Sequence, residues 1–144
     1  LIAALGLGLM IYGKANADFA PVWQPLAGAH WLAIILMWPA FILLAWAEIP
    51  CSMKSTLRHP MLLGVLLFSI AHLFANGDLA SILLIGSFGL YALLTMLRLG
   101  FNKPNSTAEN STPGWNILGI VIGTLAYGLA FTFHQQIIGM PIPL

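Results

Sequence analysis

Residues 31–46 read WLAIILMWPAFILLAW and contain no ionisable side chain. With its flanks, this stretch supplies the roughly 20 apolar residues that a helix needs to cross a bilayer core of about 30 Å. The whole chain of 144 residues follows the same pattern, since 60% of them are hydrophobic and only 6% are charged. A soluble domain carries about 25% charged residues. The composition therefore excludes a water-soluble globular domain and a disordered chain.

Five apolar runs predict the fold class, an all-α polytopic transmembrane helical bundle with about five spans. The runs cover residues 1–13, 27–49, 61–75, 79–99 and 115–138. The period-two alternation of a lipid-facing barrel is absent. We interpret residues 1–144 as a single integral-membrane domain. The chain starts at Leu1 inside an apolar run, so we expect that it is a processed or truncated product.

Small residues and prolines predict where the helices turn, bend and meet. The sequence Asn76-Gly77-Asp78 predicts a tight turn, because Asn and Gly tolerate positive φ, and this turn would join the third and fourth runs into an antiparallel hairpin. Pro39 predicts a kink in the second run. Gly119 and Gly123 are four residues apart, a spacing that allows close approach of another helix.

Basic residues indicate the orientation in the membrane. Four of them fall in loops on one side, namely Lys54, Arg58, Arg98 and Lys103, whereas Lys14 is alone on the other. The positive-inside rule then places the first set in the cytoplasm. Five basic against four acidic residues create no field that would attract nucleic acid, so the expected partner is the lipid bilayer. Cys51 is the only cysteine, which excludes an internal disulfide framework.

Three histidines are predicted to lie at one depth on three different helices. His30 lies near the start of the second run, and His72 and His134 lie near the ends of the third and fifth. Imidazole is a common metal ligand and a haem axial ligand, whereas the alternative is hydrogen bonding to headgroups or backbone. Asn76 and Asp78 either shape the turn after His72 or hydrogen-bond to a histidine and set its tautomer.

A second polar group is predicted on the opposite side. Glu48 and Arg58 could form an ion pair at the interface, and Pro60 suits the first turn of a helix. The Arg58-His59-Pro60 segment is either a polar helix start with positive-inside charge or a site for an anion or a substrate headgroup.

Several segments together resemble the NnrU family of bacterial membrane proteins. The most specific are RHPMLLG at 58–64 and AHLFANGD at 71–78. Weaker agreement comes from AHWL at 29–32, MWPAF at 37–41 and HQQIIG at 134–139. The resemblance covers nearly the whole chain and implies a multi-pass protein of the bacterial inner membrane, associated with denitrification and nitric oxide metabolism. It also implies about six spans in the complete protein, so that this chain would lack the first.

The family is similar to the plant ζ-carotene isomerase, a membrane enzyme that uses haem b for redox-dependent cis–trans isomerisation. This resemblance implies that His72 is an axial haem ligand and that the second axial histidine lies in a first span with no counterpart here. Ser69 matches a cysteine proposed as an alternative ligand, and serine is a poor haem ligand. We count six residues as candidates for cofactor binding: His30, His59, His72, His134, Asn76 and Asp78.

Three functions remain open. The first is a haem b membrane protein, acting in nitrogen-oxide metabolism or as an isomerase of a polyene-like, hydrophobic substrate. The second is a non-enzymatic accessory or assembly subunit that binds the membrane proteins of a respiratory complex. The third is a methyltransferase like the isoprenylcysteine carboxyl methyltransferases, which share the RHP-type helix start.

Overall fold

A computed structural model describes residues 2–100 and 113–138 of the chain. The described residues form helices and no β-strand, which confirms the all-α prediction. The helices are α1 (Ile2–Asn16), α2 (Ala29–Glu48), α3 (Met53–Thr56), α4 (Pro60–Ala75), α5 (Leu79–Leu99), α6 (Pro113–Thr132) and α7 (His134–Ile138). Most of the predicted polar loop at 102–113, including Lys103, lies outside the described residues.

Three helices, α2, α5 and α6, are long and apolar enough to cross a membrane. The expected count of about five spans is not confirmed. Helix α4 is apolar but has 16 residues, and at about 1.5 Å per residue it extends only about 24 Å. The predicted fifth run divides at Phe133, where α6 ends and the short α7 begins.

The longer helices form a row in which α2 and α4 are central. Helix α2 packs between α6 and α4, and α5 packs on the other side of α4 and makes a smaller contact with α1. Neighbouring helices run antiparallel, so at each end of the row the start of one helix lies beside the end of the next. We call the end where α2 begins and α4 ends the histidine end, and the end where α2 ends and α4 begins the basic end. The α4–α5 contact confirms the predicted hairpin.

Glycines allow the central helices to approach closely. A Cβ at Gly123 would lie 2.6 Å from the Ile42 Cα, and one at Gly64 would lie 3.1 Å from the Ala40 carbonyl oxygen. Gly119 packs against the Trp46 indole in the same interface as Gly123. The predicted close approach at Gly119 and Gly123 is therefore confirmed, and its partner is α2.

Side-chain hydrogen bonds add to the α2–α6 contact. The Trp38 indole donates to Thr124 Oγ1 over 3.0 Å, and the Tyr127 hydroxyl donates to the Ile34 carbonyl over 3.0 Å. Helix α2 continues as one element through Pro39, the residue after Trp38. The pairs set an antiparallel register between α2 and α6.

The sequence analysis predicted positive φ in the Asn76-Gly77-Asp78 turn, but none of these three residues has it. Among the described residues only Gly28 and Gly100 have positive φ. Gly77 is instead required by crowding, because a Cβ there would collide with the Trp23 carbonyl. The Gly77 carbonyl accepts hydrogen bonds from the amides of Val22 and Trp23, at 2.8 and 3.2 Å. The loop before α2 is therefore bound to the α4–α5 turn.

We expect Gly123→Ala to destabilise the protein, because its methyl group would press on the α2 backbone. Overpacking of this kind costs about 1–3 kcal/mol. Gly128→Ala is the matched control, since it lies on the same helix with open space around it. Thermal unfolding in detergent should show a lower midpoint for Gly123→Ala alone. Equal midpoints for the two variants would contradict the packing described here.

Candidate functional site

The histidine end brings together two of the three histidines predicted to share a depth. His72 and His134 are close enough to interact electrostatically. Continuing the register set by Trp38–Thr124 and Tyr127–Ile34 places the end of α6, just before His134, level with the first turn of α2, which carries His30. The His30 ring packs against the neighbouring Trp31, with the ring centroids 5.4 Å apart.

His72 is held in one orientation by its own helix. Its Nδ1 lies 3.0 Å from the Phe68 carbonyl oxygen, one turn earlier in α4, and its ring lies 4.2 Å from the Phe68 ring. A carbonyl oxygen can only accept, so Nδ1 carries the hydrogen. In the neutral imidazole Nε2 then holds the lone pair. His72 thus presents one nitrogen as a potential ligand and uses the other to fix the ring.

The residues around His72 do not form a metal centre of several protein ligands. Within residues 2–100 and 113–138, no group of three or more histidine, cysteine, aspartate or glutamate side chains could hold a metal ion. Ser69, one turn before His72, is 1% exposed and donates its hydroxyl to the Val65 carbonyl over 2.9 Å.

Asn76 and Asp78 shape the turn after His72. The hypothesis that they hydrogen-bond to the His72 ring and set its tautomer is not supported, because both side chains bond to the backbone instead. The Asn76 side-chain amide donates to the His72 backbone carbonyl over 2.9 Å and caps the end of α4. The Asp78 carboxylate accepts from the Ser81 amide over 3.0 Å and caps the start of α5. The Phe68 carbonyl occupies the place that the sequence analysis gave to these side chains.

An ion pair between Lys14 and Asp78 links α1 to this turn. The Lys14 Nζ lies 2.6 Å from an Asp78 carboxylate oxygen, and Asp78 is 5% exposed. Burial by itself would raise the pKa of Asp78, but hydrogen bonds from Lys14 and Ser81 outweigh it and lower the pKa to about 2. The lone basic residue of the histidine end is thus paired. Sequence reasoning missed this pair, because the two residues are 64 positions apart.

A surface cavity of about 370 Å³ opens beside the same turn. Trp23, Gln24 and Pro25 line it from the loop before α2, and Asn76, Gly77 and Asp78 line it from the turn, together with Phe19, Pro21 and Ala75. The cavity combines aromatic side chains with polar turn groups. It lies between the loop and the end of the helix that carries His72.

The basic end separates His59 from the other histidines. The His59 Nε2 donates to the Gly100 carbonyl over 3.2 Å and joins the start of α4 to the end of α5. Pro60 occupies the first turn of α4, as predicted. The expected Glu48–Arg58 ion pair is not found, and the one salt bridge among the described residues joins Lys14 and Asp78. Glu48 is instead exposed at the end of α2.

The basic end also holds a polar cluster that the sequence analysis did not find. The Trp46 indole donates to the Asn116 carbonyl over 3.0 Å, and the Asn116 side chain donates to Ser52 Oγ over 2.6 Å. The fully buried Cys51 thiol lies 3.4 Å from the Trp46 carbonyl. No spacing rule joins Asn116 to Trp46 and Ser52, because they meet only when α6 packs on α2.

The fold and this end of the helix row define a class: an all-helical protein with apolar helices of membrane-spanning length and a histidine with one free ring nitrogen at their end. The sequence model of the family described as NnrU protein matches residues 1–142. The chain belongs to the NnrU family, as the resemblance predicted. No curated protein and no solved structure matches it significantly.

We expect Asp78→Asn to lower stability at neutral pH by about 1 kcal/mol, because the asparagine can still cap α5 but cannot pair with Lys14. The folded-state pKa of Asp78 lies below the usual value of 3.8, so the ion pair stabilises the protein above that value. Its contribution is lost as the pH falls towards 2.

The difference in unfolding midpoint between wild type and Asp78→Asn should therefore shrink between about pH 4 and pH 2. Asp18→Asn, which removes an exposed carboxylate from the adjacent loop, is the control and should show little difference. A difference for Asp78→Asn that is constant with pH would show that the ion pair does not stabilise the fold.

Proposed function

We propose that this chain is a multi-pass haem b protein of the bacterial inner membrane and that His72 would hold the iron through Nε2. The single observation that carries the proposal is the hydrogen bond from His72 Nδ1 to the Phe68 carbonyl. Such a bond sets the tautomer, orients the ring and increases the basicity of the ligating nitrogen. NnrU membership and the match of His72 to an axial histidine of the similar isomerase support the same assignment.

The neighbouring groups fit a haem in distinct ways. The Phe68 ring at 4.2 Å restricts rotation of the imidazole and adds an apolar surface beside it. His134 interacts with His72 electrostatically and is the second candidate to contact the group. The Ser69 hydroxyl donates its hydrogen bond to the Val65 carbonyl, so replacement of His72 by Ser69 as the iron ligand is not supported.

The membrane orientation follows from the charges at the two ends. Lys54, Arg58 and Arg98 lie at the basic end, which the positive-inside rule assigns to the cytoplasm. At the histidine end, Lys14 is neutralised by Asp78. His72 then lies near the periplasmic face, about one helical turn below the end of α4.

A bound haem would supply a reversible ferric–ferrous couple. The protein would hold the ring of His72 and exclude water with the apolar helices beside it. This chemistry is compatible with the two reactions that the family implies, nitrogen-oxide metabolism and redox-dependent isomerisation of a polyene-like lipid.

The test is an absorption spectrum of the intact protein purified in detergent from haem-replete cells, oxidised and then reduced with dithionite. Wild type should show a Soret band that sharpens on reduction, and His72→Gly should lose it. Added imidazole should restore the band in His72→Gly, because a free ligand can occupy the space of the missing side chain. His59→Ala is the matched control at the opposite end and should keep the band.

A colourless wild type would overturn the haem proposal and favour the accessory-subunit alternative. A Soret band that survives in His72→Gly would show that another residue holds the iron. Size-exclusion chromatography of each variant separates loss of the ligand from loss of the fold.

A further inference from the structure

A second cavity, of about 220 Å³, lies at the basic end, far from His72. Lys54, Arg58 and His59 line it, together with Ala47, Pro60, Met61 and Leu62. We propose that this cavity binds the phosphate group of an anionic ligand, and that the headgroup of an anionic phospholipid is the source its position favours. The proposal is independent of the haem.

The charge in the cavity is not neutralised by the protein. Lys54 and Arg58 are both half-buried, and neither forms an ion pair with a carboxylate in the described part of the chain. Glu48, the acidic residue nearest in sequence, is exposed and unpaired with either of them. Two cations held in a partly desolvated cavity repel each other and favour an anion between them, because Coulomb forces strengthen as water is excluded.

The residues at the start of α4 that line the cavity also have backbone amides without acceptors in the helix. Pro60 has no amide hydrogen, and the first intrahelical bond at this end joins the Leu63 amide to the His59 carbonyl over 2.9 Å. The Met61 and Leu62 amides therefore lack acceptors within the helix. His59 is anchored by its bond to the Gly100 carbonyl, so it positions Arg58 and the start of α4 against the end of α5.

The walls and the location favour a lipid over a free anion. Ala47, Met61 and Leu62 give the cavity an apolar side, and Met61 is 48% exposed. The cavity lies where α2 ends and α4 begins, at the level where the proposed orientation places the lipid headgroups. A phosphodiester could thus contact Lys54 and Arg58 while its acyl chains lie along the apolar surface. The same polar groups would also accept inorganic phosphate.

The experiment measures binding of phosphatidylglycerol and phosphatidylcholine to the detergent-purified protein, by native mass spectrometry and by the shift in unfolding midpoint. Wild type should retain phosphatidylglycerol preferentially. Arg58→Gln should weaken its binding about tenfold, the effect of losing one charge-assisted contact. Arg98→Gln is the matched control, because it removes the same side chain from the same end without touching the cavity. Arg58→Lys should retain most of the binding.

Lys54→Gln provides a second variant should Arg58→Gln fail to fold, and it should also weaken phosphatidylglycerol binding. Stabilisation by inorganic phosphate that Arg58→Gln abolishes would support the site and identify a free anion as its source. Equal binding of the two lipids together with no effect of phosphate would overturn the proposal, and so would an equal loss in Arg98→Gln. Stabilisation by S-adenosylmethionine alone would also overturn it and favour the methyltransferase alternative.

Discussion

The close contact of α2 with its two neighbours is the constraint on which the rest of the structure depends. Between apolar helices in a lipid environment, burial of apolar surface gives little preference for the protein over the lipid, so association relies on close packing and hydrogen bonds. Gly123 meets the α2 backbone at Ile42, and Gly64 meets it at Ala40. A side chain at either position would separate the backbones. The register of α4 and α6, and with it the level of every histidine, follows from these contacts.

The two ends of the helix row use polar groups in opposite ways. At the histidine end the loop before α2 is bound to the α4–α5 turn through Gly77, and Lys14 neutralises Asp78. Charge there is satisfied internally, and the hydrogen bond from His72 Nδ1 leaves Nε2 of the neutral ring as an acceptor. At the basic end, Lys54 and Arg58 remain without a carboxylate around a cavity with an apolar side. One end thus suits a coordinated group, and the other suits an anion.

Much of the fold could be predicted because apolar runs and turn residues act locally. The bounds of α2, α4 and α5 agree with the predicted runs to within two residues, and the close approach at Gly119 and Gly123 was readable from their spacing. The span count was less secure, because a run of apolar residues does not show where a helix ends, as at Phe133. Gly77 was assigned to the right turn for the wrong reason. Its role depends on the carbonyl of Trp23, more than fifty residues away in sequence.

In the candidate site, too, some features follow from local sequence and others from the packing of the helices. The sequence by itself determined that the protein is helical and apolar. It also determined that His30, His72 and His134 lie near one end and that basic residues lie at the other. Each of these follows from the lengths of the apolar runs and from where the polar residues fall between them. Only the tertiary structure decided that Gly77 meets the Trp23 carbonyl, that Asp78 pairs with Lys14, and that Arg58 faces a cavity without its expected partner Glu48. These depend on distances of a few ångströms between residues far apart in the chain, which are set by how closely the helices pack.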